Sequence, residues 1–159
     1  MASVRKRIAW DRRTVHIKAL NLANKVAGLI SEIHNLEWDI PDLDEDDLTD
    51  FLSNDGLHVW RHFLTFAPIW RKNIKYSPKF WVMTAENFES CVYVMMQETI
   101  KPQENFEKVH LYSIFALIFV IATWFIEHNT ENMMNKVIEV AYRITFRIFN
   151  STPIYGSSW

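Results

Sequence analysis

The run from Val109 to Ile126 holds eighteen consecutive residues without a formal charge, bounded by Lys108 and Glu127. It leaves few options, because a helix that is apolar on every side has to be enclosed on every side. As a helix it would rise about 27 Å, near the lower limit for crossing a bilayer. Its surroundings are therefore lipid or a jacket of other helices. The rest of the chain favours the jacket. Amphipathic segments lie on both sides of the run, and a lone membrane span would leave their stripes uncovered. His110, Tyr112, Ser113 and Thr123 also make it a poor spanning segment. No integral membrane span is expected.

A chain of 159 residues is long enough to enclose such a helix in one domain. Aromatic residues reach 14%, and three glycines are too few for the tight turns of an all-β or dinucleotide-binding design. The expected fold is all-α: a single-domain helical bundle over residues 1–159 with a buried central hydrophobic helix. Residues 1–13 read as a basic arm and 151–159 as a tail.

The other helices follow from periodicity. Leu22, Val26, Leu29, Ile30 and Ile33 form one stripe, predicting a helix from Thr14, its N-cap, to Asn35. Gly28 in its middle suggests a close crossing. Asp44 to Asp47 suit the start of a second helix. That helix should break at Asn54-Asp55-Gly56, and a third piece, Leu57–Phe66, should end before Pro68. Residues 67–82 read as irregular. Thr84 caps a helix from Ala85 to Ile100, the central helix covers Glu104–His128, and the last covers Glu131–Phe149.

Charge is segregated although the net value is −2. Residues 1–25 carry seven bases against one acid, residues 37–55 nine acids and no base, and residues 56–84 five bases and no acid. The single cysteine, Cys91, excludes an internal disulfide and suits a reducing compartment. The basic start runs into Trp10-Asp11-Arg12-Arg13, with no apolar signal segment. An intracellular, cytoplasmic location is expected, with a mitochondrial or other membrane surface also open.

Few residues suggest catalysis. The acidic run from Asp42 fails as a calcium loop, since Asp47 stands where glycine is required and Ser53 where glutamate is. His58 and His62 have ligand spacing but no third ligand. Cys91 has no neighbouring histidine to activate it. No phosphate loop, nucleophile elbow or dinucleotide fingerprint occurs. No enzyme, metal or cofactor is expected. The stretch from Trp60 to Trp81 interleaves bases with rings, as single-strand binders do. A nucleic-acid reading would use Arg5, Lys6, Arg7, Arg12, Arg13, Arg71, Lys72, Lys75 and Lys79 with Trp70, Tyr76 and Trp81. A third reading is a homo-oligomer joined through its aromatic surface.

The order of these segments resembles that of the Bcl-type (B-cell lymphoma) apoptosis regulators, including diverged viral members. Thr14–Asn35 resembles the family's first helix, Asp47–Phe66 the second and third, and Ala85–Ile100 the fourth. Glu104–His128 resembles the central hairpin helix and Glu131–Phe149 its partner. The ending Pro153-Ile154-Tyr155-Gly156-Ser157-Ser158-Trp159 is similar to the late family motif that closes in Gly-Gly-Trp. Glu107-Lys108-Val109-His110 stands where the family has Asn-Trp-Gly-Arg. Lys108 or His110 would then replace the arginine that pairs with the ligand's aspartate. The resemblance implies a hydrophobic groove gripping the amphipathic helix of a pro-death protein. Phe63, Phe88, Val92, Met95, Leu111 and Phe115 would line that groove.

Overall fold

Asp11 opens the first helix. Its carboxylate accepts the backbone N–H of Thr14 at 2.7 Å, satisfying a donor that every helix start leaves open. Hydrogen bonds from Thr14 hold that carboxyl below its usual pKa. The structure, a computed structural model, describes residues 7–36, 53–76, 82, 84–101, 105–128 and 130–155. Helix α1 (Arg12–Ile33) therefore starts before Thr14, and Arg12 and Arg13 belong to its first turn instead of an arm. Val15, Ala19, Leu22, Ala23, Val26, Ala27 and Ile30 form its buried face. It ends at Ile33, and beyond the His34 C-cap Asn35 takes a positive φ of 50° while Leu36 N–H reaches back to Ser31 O at 2.9 Å. Gly28 is only partly buried, and its carbonyl accepts the Ser31 hydroxyl at 3.0 Å.

Helix α2 (Ser53–Tyr76) is continuous where the sequence suggested a break and an early stop. Asp55 lies in its first turn, where negative charge suits the helix dipole, so Asn54-Asp55-Gly56 starts the helix instead of interrupting it. Pro68 sits inside α2 on the exposed side. There the helical bond that proline removes can be replaced by water, while neighbouring Ala67 and Trp70 stay anchored in the core. Residues 67–76 are thus helical. The start expected at Asp44 to Asp47, and the calcium-like run, lie outside the described residues.

Helix α3 (Ala85–Thr99) begins as its sequence signals. Thr84 Oγ1 accepts the Asn87 N–H at 3.3 Å. Phe88, Cys91, Val92 and Met95 are buried along one face. Helix α4 (Lys108–Glu127) is the bundle's centre and touches α1, α2, α3 and α5. It is buried without interruption from Ile114 to Thr123. Thr123, the polar member of that run, is satisfied by His34 Nε2 at 2.9 Å. By length and composition α4 could cross a membrane, but here the other helices enclose it. Helix α5 (Met133–Ser151) follows Asn132, which takes φ 59°, and it packs chiefly on α1.

The two ends of the chain meet. Strand β1 (Arg7–Ile8) pairs antiparallel with β2 (Ile154–Tyr155), Arg7 opposite Tyr155 and Ile8 opposite Ile154. Phe106 joins them: its N–H donates to Pro153 O and its carbonyl accepts the Tyr155 N–H, both at 2.9 Å. The expected arm and tail are in this part a small sheet, with Ile154 and Phe106 turned into the core.

Candidate functional site

A cleft of about 530 Å³ opens at the end of the bundle where α4 begins. The C-terminal halves of α2, α3 and α5 form its walls, and the first two turns of α4 its base. From α2, Phe66 stacks on Trp70 with centroids 5.3 Å apart. From α3 come Tyr93 and Met96, and from its C-cap Ile100. Ile144 and Ile148 enter from α5. Phe106 closes one side, held by its hydrogen bonds to the β2 segment.

The apolar walls are interspersed with neutral polar groups such as Gln97, Thr99, Ser113 and Thr152, and the charged groups among the described residues are cations. Arg147 spreads its guanidinium over the Tyr93 ring at 5.5 Å, a contact that orients the cation at the rim. Lys101 is the second cation of the lining, and no aspartate or glutamate takes part among the described residues. His110 also lines the cleft. Its Nδ1 accepts the Glu107 N–H at 2.9 Å, which leaves the ring proton on Nε2. Chemically, such a cleft receives apolar side chains and favours a carboxylate at its edge.

A second polar cluster holds the start of α2 to α4. Lys108 Nζ lies 2.8 Å from Asp55 Oδ2, and the Tyr112 hydroxyl donates to Asp55 Oδ1. His58 stacks on the Tyr112 ring at 5.2 Å. Burial, then the bond to Asp55 and its charge, raise the Tyr112 pKa. This cluster ties the start of α2 to the start of α4 and reads as a clasp.

No protein-family model, curated protein or solved structure matches the chain. The site therefore rests on its own geometry.

That geometry relocates most of the expected groove. Phe63, Phe88, Val92, Met95, Leu111 and Phe115 are all buried in the core, so they hold the bundle together and do not line an open groove. Phe63 packs on Phe119 at 4.5 Å and Phe88 on Phe125 at 5.5 Å. Lys108 is engaged by Asp55. His110 alone of the eight expected contact residues borders the cleft. Phe66, Tyr93, Ile100, Ile144, Arg147 and Ile148 were not among the expected contact residues, and Trp70 was named only in the nucleic-acid reading. Tyr93 lies one position round from the buried stripe of α3, but Ile144 is itself buried on α5, so periodicity gave no single signal that separates cleft from core.

The nucleic-acid set is also dispersed. Arg7 is in β1, Arg12 and Arg13 begin α1, and Arg71 lies 3.8 Å from Glu127. Lys72 is exposed on α2, and Lys75 lies in the same helix. Arg5, Lys6, Lys79 and Trp81 lie outside the described residues. Trp70 is only 5% exposed and Trp60 stacks on Phe63, so these rings point away from the cations they alternate with in sequence. His62 Nδ1 bonds to His58 O at 2.8 Å, and no cluster of three metal-ligating residues occurs among the described residues. Cys91 is buried, and burial pushes its thiol up to about 12.

Proposed function

We propose that this chain is a non-enzymatic binding protein that seats one face of an amphipathic helix from a partner, as Bcl-type apoptosis regulators do. The observation that carries the reading is the cleft itself. It is lined by Phe66, Trp70, Met96 and Ile148, and its charged members among the described residues are the cations Arg147 and Lys101. A helix whose anchors recur at i, i+3 or i+4 and i+7 presents the matching apolar edge. Methionine at the wall suits a site that repacks around different anchors. Each anchor contributes roughly 1.5–3 kcal/mol on full burial.

Relative to the Bcl-type pattern, the carboxylate of the ligand would meet Arg147 on α5 instead of a residue at the start of α4. Lys108 is tied to Asp55 and His110 to the Glu107 backbone, so neither is placed for that role. The partner expected is a pro-death protein or another chain carrying such a helix.

The test is fluorescence anisotropy with a panel of labelled amphipathic helical peptides, death-motif sequences among them. Micromolar or tighter binding with weak salt dependence is expected for peptides bearing one acid beside the anchors. Arg147→Glu should weaken those peptides by about tenfold, and an acid-to-lysine peptide should recover part of the loss. No binding by any peptide sinks the reading.

A further inference from the structure

We infer that the outward face of α2 is a docking surface for an anionic lipid bilayer. It lies on the far side of the helix from Phe66 and Trp70 and so is independent of the cleft. Leu57, Arg61, Leu64, Pro68 and Lys72 follow one another at i, i+4, i+7, i+11 and i+15, a single line along the helix. All five are exposed. Leu57 is 53% exposed, Leu64 55% and Ile69, beside the line, 58%.

Those values need a reason, because elsewhere α2 shows that burial was available. Val59, Phe63, Ala67 and Trp70 on its opposite side are all in the core. The exposed line runs about 22 Å, too long for a chance leucine and too convex to be a pocket. Its charges are of one sign: from Gly56 to Thr84 the sequence contains no aspartate or glutamate.

Charge decides among occupants. An apolar line flanked by cations is how a helix lies in a membrane interface, aliphatic side chains among acyl chains and cations at headgroup level. A nucleic acid would use the cations but give the leucines nothing to bury against. A second copy of this chain would oppose cation to cation along the same line. An anionic bilayer satisfies both kinds of residue at once, and its flatness suits a convex helix. Bound this way, the bundle keeps α4 enclosed and the cleft accessible.

The experiment is flotation of the full chain with vesicles of phosphatidylcholine alone or with about 30 mol% phosphatidylserine. Binding to the anionic vesicles at low salt is expected, with several-fold loss as salt rises toward about 0.3 M. Arg61→Glu with Lys72→Glu should reduce binding at least about tenfold, since each cation near the surface matters by about that order. Leu64→Ser with Ile69→Ser should reduce it several-fold while the salt dependence remains. Unchanged circular-dichroism melts show that both variants fold, as expected for exposed positions. Equal binding to neutral vesicles, no binding to either, or indifference to both pairs overturns the proposal. So does binding of single-stranded oligonucleotide, abolished by the charge reversals, without binding to vesicles. Vesicle binding that emerges only after the carboxylates of residues 42–47 are replaced would put the chain's own acidic segment on this face instead, and also overturns it.

Discussion

Asp55 shows how much one side chain can organise. Within α2's first turn it faces Lys108 and Tyr112 of α4, and its side chain is largely buried. Asp55→Asn removes the charge while keeping an acceptor for Tyr112. The expected cost is about 2–3 kcal/mol, read from urea unfolding, because Lys108 loses its opposing charge in a poorly solvated place. Tyr112 makes a second prediction. Its folded pKa is raised above the ordinary 10.0, so the native state keeps a proton that the unfolded chain loses first. The associated stability is complete below that ordinary value and is lost as pH rises through the folded one. A phenolate absorbance titration should show one step coinciding with alkaline unfolding, and Tyr112→Phe should remove it. The sequence showed Asp55 only as a turn former. Nothing local signals a partner 57 positions away.

At the scale of elements, α1 and α5, which pack on each other, each bury polar atoms without partners. Asn21 and Asn24 of α1 and Thr145 of α5 are buried, and Asn21 Nδ2, Asn24 Oδ1 and Thr145 Oγ1 have no hydrogen-bond partner. An unsatisfied buried hydroxyl costs about 1–3 kcal/mol. Thr145→Val exchanges that hydroxyl for a methyl of similar size and should raise stability by about 1 kcal/mol. In a thermal melt this is a rise of about 2–4 °C. A fall instead would mean that the hydroxyl is bonded in solution. Thr145 is fully buried on α5, between Ile144 and the other buried residues of that helix. Its lack of a partner could not be read from spacing.

Across the whole molecule, core and cleft residues should separate in their behaviour. Phe115, fully buried at the centre of α4, should cost about 3–5 kcal/mol as Phe115→Ala. Peptide affinity of the fraction still folded should stay unchanged. Arg147→Glu should do the reverse, leaving the melt nearly unchanged and weakening the peptide. Measuring both properties on both variants checks the relocation of the site from the interior to the end of the bundle. A Phe115 variant that lost affinity at full foldedness would put the contact surface back in the core.

The sequence alone determined the interior. A run of eighteen uncharged residues has to be largely enclosed, and from Ile114 to Thr123 it is buried without interruption, giving the other helices a surface to pack on. Capping at Thr84 was equally local, a hydroxyl and an amide three residues apart. Only the tertiary structure decided what stayed open. Phe88 and Met96 are both apolar and sit on one helix, and a fraction of a turn sends the first into the core and the second to the cleft. The continuity of α2 through Pro68 depended on which side met solvent. The pairing of Arg7 and Ile8 with Tyr155 and Ile154 joins the two ends of the chain, and no local pattern announces so distant a contact.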